Sequence, residues 1–530
     1  IAKSFINDKG VSTSVNIRKL GTLKELIKEH GPTRDDVMAW ARAEAKLETM
    51  KYKAENEAKK VKITFNTDAK IKYDRQAFHR GGYLFLQSMY YALHIDKICR
   101  KLKDKYKFEY DINSILSDML YARILEPSSK RSSYNIANEF LEKPSYSLHD
   151  VYRALSVLGD ECDFIQSEVY KNSHFLGSRN DKILYYDCTN YYFEISQEDG
   201  CKKYGKSKEH RPNPIVQMGM FMDGDGIPLA FSLFPENSNE QTSVKPLEEK
   251  ILSQFGCQKF IYCSDAGLGA ERIREYNHMG KRAFIVTQSI KKLKAEERAW
   301  ALNKCGFKNL YDDMSTDISN LPYDDKGIYY KEIPYTPREL HQRLIVVYSP
   351  KYASYQKTIR GKQIAVTNDG EIANIHDLLD NEKIENEALF DGLYAVSTDL
   401  LDDKVSDIIH VSEGRWEIEE CFRIMKTDFE ARPVFLQKEI RIKAHFLTCF
   451  LALILYRCIE QKMSKRYTCT EILGTIRNMN FATVQEQGYI PIYKRTAITD
   501  KLHQIFGFNT DFQFMTKQEM RNIQKKSKGR

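Results

Sequence analysis

The chain is expected to be a multidomain α/β protein: a mixed sheet with flanking helices, interrupted by a β-rich insertion and preceded by helical N-terminal domains. Three observations predict this. Its 530 residues exceed one domain, which typically takes roughly 100 to 200. Helical apolar spacing over residues 83–175 gives way at Asp181 to alternating runs rich in Tyr and Ile. Strand-like and helical stretches then alternate, the pattern of helices packed on a mixed sheet. With 42% hydrophobic, 12% aromatic and 29% charged residues, wholesale disorder is excluded.

Residues 1–80 read as a basic helical region. Thr22 with Glu25 makes a capping box, Gly31-Pro32 ends that helix, and Thr33 with Asp36 opens a longer one to about Lys60. Two helices joined by a tight turn suit a DNA-binding element, although any helical hairpin looks the same. Residues 1–107 carry 24 Lys and Arg against 13 Asp and Glu, a net +11, so the rest of this +8 chain sums to −3. A second basic cluster, residues 513–530 with six Lys or Arg and only Glu519, ends the chain. Both read as arms for phosphate backbones, or as solvated helical surface. Residues 81–180 follow as a helical domain, as in GGYLFLQSMYYALHIDKICRKL and SILSDMLYARIL, with a break near Glu126 to Ser133.

The α/β region takes residues 181–290 and 391–463. DKILYYDCTNYYFEIS is its first strand, and IVQMGMFMD and IPLAFSLFP form a hairpin across Gly224-Asp225-Gly226, with Asp223 and Asp225 shaping the turn. A helix near 240–254, the strand KFIYCSDAG, a helix near 270–278 and the strand RAFIVTQ follow. Residues 291–390 form the insertion, with a charged helix at 291–303 and β-type runs GIYYKEI and QRLIVVYS. DGLYAVSTD resumes the α/β texture, then come helices near 403–426 and 439–463, and residues 464–530 form a C-terminal region. The run FLTCFLALILY has 11 residues, short of the about 20 a bilayer span needs, and reads as a core helix. Eleven cysteines without a C-x-x-C pair or flanking His pattern argue against a zinc or disulfide framework and for a reducing cytoplasm.

Three carboxylates stand out by position. Asp187 ends the first strand and Asp265 ends a later one before a turn into a helix; such strand ends are where open α/β sheets bind ligands. Glu419 lies on the 403–426 helix. At about 100° per residue, Arg415, Lys426, Glu419 and Ser412 fall within about 60° on one stripe bordering the core-seeking Ile418, Phe422 and Met425. Two Asp and one Glu would supply hard oxygen ligands for two Mg²⁺ ions acting on a phosphodiester, with Arg415 and Lys426 neutralising phosphates. Aspartates that merely cap turns are the alternative.

In SEGRWEIEECFRIMK, Arg415, Glu419 and Lys426 match the R, E and K of the pattern Y-x-x-R-x-x-x-E-x-x-x-x-x-x-K. Together with YYDCTNYYFE, YCSDAGLGAERI and RPVFLQKEIRIKAHFLTCFLALILYRCIE, this string makes residues 180–460 resemble the DDE transposases of bacterial insertion sequences that carry that signature. The resemblance implies a ribonuclease H-like core with a β-stranded insertion, and assigns Asp187, Asp265 and Glu419 as catalytic metal ligands for two Mg²⁺ ions, with Mn²⁺ substituting. It implies double-stranded DNA, transposon ends and target, as partner, a homodimer that pairs two ends, no membrane, and a bacterial, nucleoid-associated cytoplasmic location. Arg415, Lys426 and Arg423 would contact DNA. Ser412 departs from the pattern, standing where the group has a DNA-contacting Tyr, a contact that a nearby Tyr would have to replace. The 154 residues from Asp265 to Glu419, against 78 from Asp187 to Asp265, include the insertion, which in this group helps to hold DNA ends. Trp300 within it would stack on an unpaired base, or else anchor a short helix. Lys208 and Arg211, in YGKSKEHRP with Lys206 and His210, would line the DNA path, or form a solvated loop. His210 and His410 are read as structural, because a two-metal site needs no such base. Two other functions fit the same core: a host nuclease or resolvase without strand transfer, and a non-catalytic DNA-binding protein derived from a transposase.

Overall fold

The computed structural model describes residues 1–6, 10–58, 60–64, 66–68, 70, 73, 76–177, 179–195, 197–205, 212–235, 240–278, 280–322, 325–368, 381–484 and 487–530. The chain divides into two compact units, Ile1–Arg75 and Gln76–Arg530.

The first unit is not wholly helical. Strands β1 (Ala2–Ile6) and β2 (Ser12–Asn16) pair antiparallel ahead of helices α1 (Leu23–His30) and α2 (Arg34–Ala58). Both strands are mostly exposed, so they carry none of the apolar alternation by which a strand is read. The helices begin at the anticipated caps. Thr22 N donates to Glu25 Oε2 at 2.9 Å, and Thr33 and Asp36 exchange backbone-to-side-chain bonds of 3.1 and 3.2 Å.

The second unit opens with β3 (Phe78–Arg80) and six helices: α3 (Tyr83–Ala92), α4 (Ile95–Tyr106), α5 (Ile112–Leu125), α6 (Lys130–Ala137), α7 (Leu148–Asp160) and α8 (Cys162–Ser173). Next come β4 (Ile183–Tyr192), β5 (Ile215–Asp223), β6 (Pro228–Pro235), α9 (Glu240–Lys250), β7 (Phe260–Ser264), α10 (Glu271–Asn277) and β8 (Arg282–Gln288). β4, β5 and β6 pair antiparallel, and β7 and β8 add parallel on the other side of β4. The β5–β6 turn is built as its sequence suggested: buried Asp223 accepts from Ile227 N at 2.8 Å and from Arg179 Nε at 2.6 Å.

The insertion supplies α11 (Ala295–Leu302), β9 (Phe307–Asn309), β10 (Ser315–Thr316), β11 (Tyr329–Tyr335), β12 (Gln342–Tyr348), α12 (Pro350–Asn368) and α13 (Asn381–Ala388). Its strands do not make a sheet of their own. β13 (Leu393–Thr398) pairs with β8 on one side and β12 on the other, so one ten-stranded sheet runs β10-β9-β11-β12-β13-β8-β7-β4-β5-β6. An uncovered β8 edge would leave a row of backbone donors and acceptors open, and β13 satisfies them.

Helices α14 (Val405–Glu413), α15 (Trp416–Arg423) and α16 (Glu439–Lys462) follow. By length and apolarity α16 could cross a membrane, but 94% of its apolar window is buried inside the protein. Its Phe446 and Phe450 rings pack on Tyr191 of β4 and Phe231 of β6. The chain closes with α17 (Cys469–Asn478), β14 (Asn480–Val484), β15 (Gly488–Pro491), α18 (Ala497–Phe506), β16 (Met515–Thr516) and α19 (Lys517–Ser527). These fold back on the helices, forming the sheet β16-β15-β14-β3. The basic C-terminal cluster is therefore docked and is not a free arm: Ser527 Oγ donates to Gln87 Oε1 at 2.6 Å, and Lys528 pairs with Glu142.

The two faces of the core sheet differ in what covers them. Leu184, Tyr186, Cys188 and Tyr262 join a cluster with residues of α9 and α10, whereas Tyr185, Tyr191, Cys263 and Ile285 join one with residues of α14, α15 and α16. Ten of the eleven cysteines are buried in this way, as small apolar filler.

Candidate active site

Alternation along β4 puts Asp187 on the face of Tyr185 and Tyr191, under α15. Asp187 does not end its strand, as the sequence suggested. β5 pairs with β4 along its whole length, out to Tyr192, whereas β7 pairs with it only from Ile183↔Ile261 to Tyr185↔Cys263. Carried two residues further, that register sets Asp187 opposite Asp265, the residue directly after β7. The end that matters is that of the partner strand. Both carboxylates are half-buried; Asp187 Oδ1 accepts from Cys188 N at 2.7 Å, and Asp265 Oδ1 accepts from Leu268 N at 2.9 Å, closing the turn toward α10.

Glu419 reaches the same face by a broken helix. The chain bends at Gly414, where a Cβ would lie 2.3 Å from Tyr185 Oη, the hydroxyl that donates to Val411 O at 2.9 Å. From there α15 and a π-helical turn, Ile424–Asp428, run along β4 to Tyr191, whose ring lies 5.5 Å from Lys426 Nζ. Glu419 is about 7.5 Å along the helix from Gly414. Asp187 is about 6.6 Å along β4 from Tyr185. The Glu419 side chain is 56% exposed, and its Oε1 accepts from Arg415 Nη1 at 3.0 Å. Burial pushes the Cys263 thiol up to about 12, and the Arg415 charge opposes it.

The carboxylate oxygens of Asp187, Asp265 and Glu419 do not all lie within 4.8 Å of one another. Among the described residues, the group that does is Asp500, His503 and Asp511, and there Arg495 already pairs with both aspartates, at 2.6 and 3.2 Å. Three carboxylates on β4, beyond β7 and on α15 are nonetheless hard oxygen donors of the kind Mg²⁺ takes, so their chemistry fits such a site.

The segment bearing Glu419 is held by a residue that sequence reasoning missed. Arg457 of α16, 3% exposed, donates to Glu417 O at 3.2 Å, Glu420 Oε2 at 3.0 Å and Glu460 Oε2 at 2.6 Å. An arginine inside the otherwise apolar LILYRCI was the available signal.

The remaining expected residues are scattered. Ser412 is buried on α14: the bend at Gly414 ends the single-helix phase on which it shared a stripe with Glu419, so it is turned away from the surface that a DNA contact requires. Arg423 is half exposed and held by Glu420 and Asp428 at 3.6 and 3.3 Å. Trp300 packs against the insertion's own cluster with Lys331 Nζ 4.8 Å over its ring, the position of a helix anchor. Lys208 and Arg211, with Lys206 and His210, lie outside the described residues.

Asp187 and Asp265 thus lie on, or directly after, neighbouring parallel strands of the mixed sheet, and Glu419 lies on a helix that packs against β4. Residues 182–455 match the family model for the transposase DDE domain; the match takes in more than half of the chain and all three carboxylates, and the chain belongs to that family. No curated protein shows significant sequence similarity to it. Among solved structures, the chain is similar to a cryo-EM structure of the piggyBac transposase synaptic complex with hairpin DNA, at 7% identity over 84% of this chain and 85% of that one, with a TM-score of 0.39. It is also similar to the Mos1 transposase paired-end complex with left transposon end, at 14% identity over 50% and 70%, with a TM-score of 0.15. Both likenesses are remote.

Proposed function

We propose that the protein is a transposase that binds the terminal inverted repeats of an insertion sequence and carries out metal-dependent DNA cleavage and strand transfer at Asp187, Asp265 and Glu419. The observation that carries this reading is the register: extended two residues, the β4–β7 pairing sets Asp187 beside Asp265 on the face along which α15 lays Glu419. The strand order β6-β5-β4-β7-β8, two antiparallel pairings followed by two parallel ones, supports reading the core as ribonuclease H-like. Asp187, Asp265 and Glu419 would hold two Mg²⁺ ions, or Mn²⁺ in their place, which when bound supply an activated water or 3′-hydroxyl and a stabilised leaving oxygen.

The chain's own residues bind and orient. Arg415, tied to Glu419, offers a planar guanidinium to a phosphate beside the carboxylates. Lys426, further along β4, offers a point charge to the next stretch of backbone. The basic unit 1–75 would recognise the repeats, and two copies would pair two ends.

Asp187→Asn and Glu419→Gln are each expected to lower Mg²⁺-dependent cleavage of end DNA by about 10⁴-fold or more; undiminished cleavage of a labelled duplex overturns the mechanism. Joining of the freed 3′-end to target DNA separates a transposase from a nuclease built on the same core. Charge reversal within residues 1–60 should abolish end binding in a mobility-shift assay, and retained binding overturns that assignment.

A further inference from the structure

Beyond Lys426, the segment that carries Glu419 borders a small cavity of about 120 Å³ between the start of α6 and the loop at residues 430–436. Its wall is cationic. Arg123 of α5 is 2% exposed, Lys130 at the first position of α6 is 5% exposed, and Arg432 joins them from the loop. Among the described residues, neither Arg123 nor Lys130 meets a carboxylate there. Arg123 donates only to carbonyls, of Ser128 at 2.8 Å, Phe429 at 3.1 Å and Glu430 at 3.4 Å. Among the described residues, Arg123 Nε and Ser128 Oγ have no hydrogen-bond partner, and the charge beside Lys130 is that of another cation, Arg123. Glu430, the carboxylate on the wall, is exposed and pairs with neither Arg123 nor Lys130. Tyr152 also lines the cavity and the buried Cys449 thiol faces Lys130, while His445 is kept neutral by burial and by the Lys130 and Arg123 charges.

A buried cation without a counter-charge is unfavourable unless a ligand supplies one. Burial, then the Arg123 charge, hold Lys130 down to about 7. The start of α6, eight residues long, adds the positive end of a helix dipole to the same wall. We propose that this cavity binds a phosphate group, held by Lys130, Arg123, Arg432 and the Ser128 hydroxyl. Arg432 lies 5.8 Å over the ring of Tyr192, the last residue of β4. A phosphate of a DNA backbone and a free phosphate anion offer this cavity the same chemistry. The DNA source rests on the transposase reading, and the anion site does not.

Two measurements on the full chain test this. In thermal unfolding at constant ionic strength, inorganic phosphate should raise the wild-type midpoint by a few degrees, leave Lys130→Met unmoved, and still act on Lys130→Arg. In binding to a duplex oligonucleotide across a salt series, occupation by a DNA phosphate should reduce the slope of log K against log salt by about one in Lys130→Met. A lost phosphate increment with an unchanged slope identifies a free anion as the occupant, and a reduced slope identifies the DNA backbone. A wild-type and Lys130→Met pair that respond alike to phosphate and share one salt slope overturn the site. Should Lys130→Met fail to fold, Arg432→Gln carries the same two comparisons.

Discussion

Arg457 and Arg123 are both almost fully buried, and both hold the segment from Glu417 to Arg432, but in different company. Arg457 meets two carboxylates, Glu420 and Glu460, besides the Glu417 carbonyl. Arg123 meets carbonyls alone, with Lys130 as a second cation nearby. A buried charge whose counter-charges come from its own chain is scaffold. One whose counter-charge is missing is receptive to a ligand, and its stability cost persists until the ligand arrives.

Substitution should therefore act with opposite sign on the two sides. The largest effect is expected at Arg457→Met, which leaves the buried Glu460 without its cation and should cost about 3 to 5 kcal/mol in denaturant unfolding; a loss under about 1 kcal/mol would break the contrast. Lys130→Met should stabilise instead, by about 1 to 4 kcal/mol at pH 6, where the wild type must bury the charge. The folded protein holds Lys130 at about 7 and the unfolded chain at the ordinary lysine value of 10.5, so between them the unfolded chain binds more protons. Wild-type stability should accordingly gain a rising component with pH across that window, and Lys130→Met should remove it; an identical pH profile for the two proteins would refute the buried ammonium. Gly414→Ala is expected to cost the least, about 1 to 3 kcal/mol, by forcing a Cβ against Tyr185. Because it shifts α15 along β4, its cleavage rate should fall further than its stability does, and an unaltered rate would show that the bend does not set the position of Glu419.

What was legible in the sequence was local. The Thr22 and Thr33 caps, the Gly224-Asp225-Gly226 turn and the strands of the α/β region are written in neighbouring residues, and the structure carries each. The Arg415, Glu419 and Lys426 spacing was equally readable because it is a short string. What was not legible depends on partners far along the chain. Asp187 looked like a strand end because nothing in YYDCTNYY says that β5 pairs on to Tyr192 after β7 has stopped. Ser412 was placed beside Glu419 by a helical phase that the Tyr185 hydroxyl interrupts at Gly414. The insertion was expected as a subdomain of its own, and its strands instead extend the core sheet, because β13 pairs on both edges.

That continuity sets a length scale. Seven strand spacings separate β4 from β10 in the sheet order, about 34 Å at some 4.8 Å each. One turn of B-form DNA rises about 34 Å. On the proposed function, a duplex crossing the strands from Asp187 would meet the far edge of the insertion after about one helical turn.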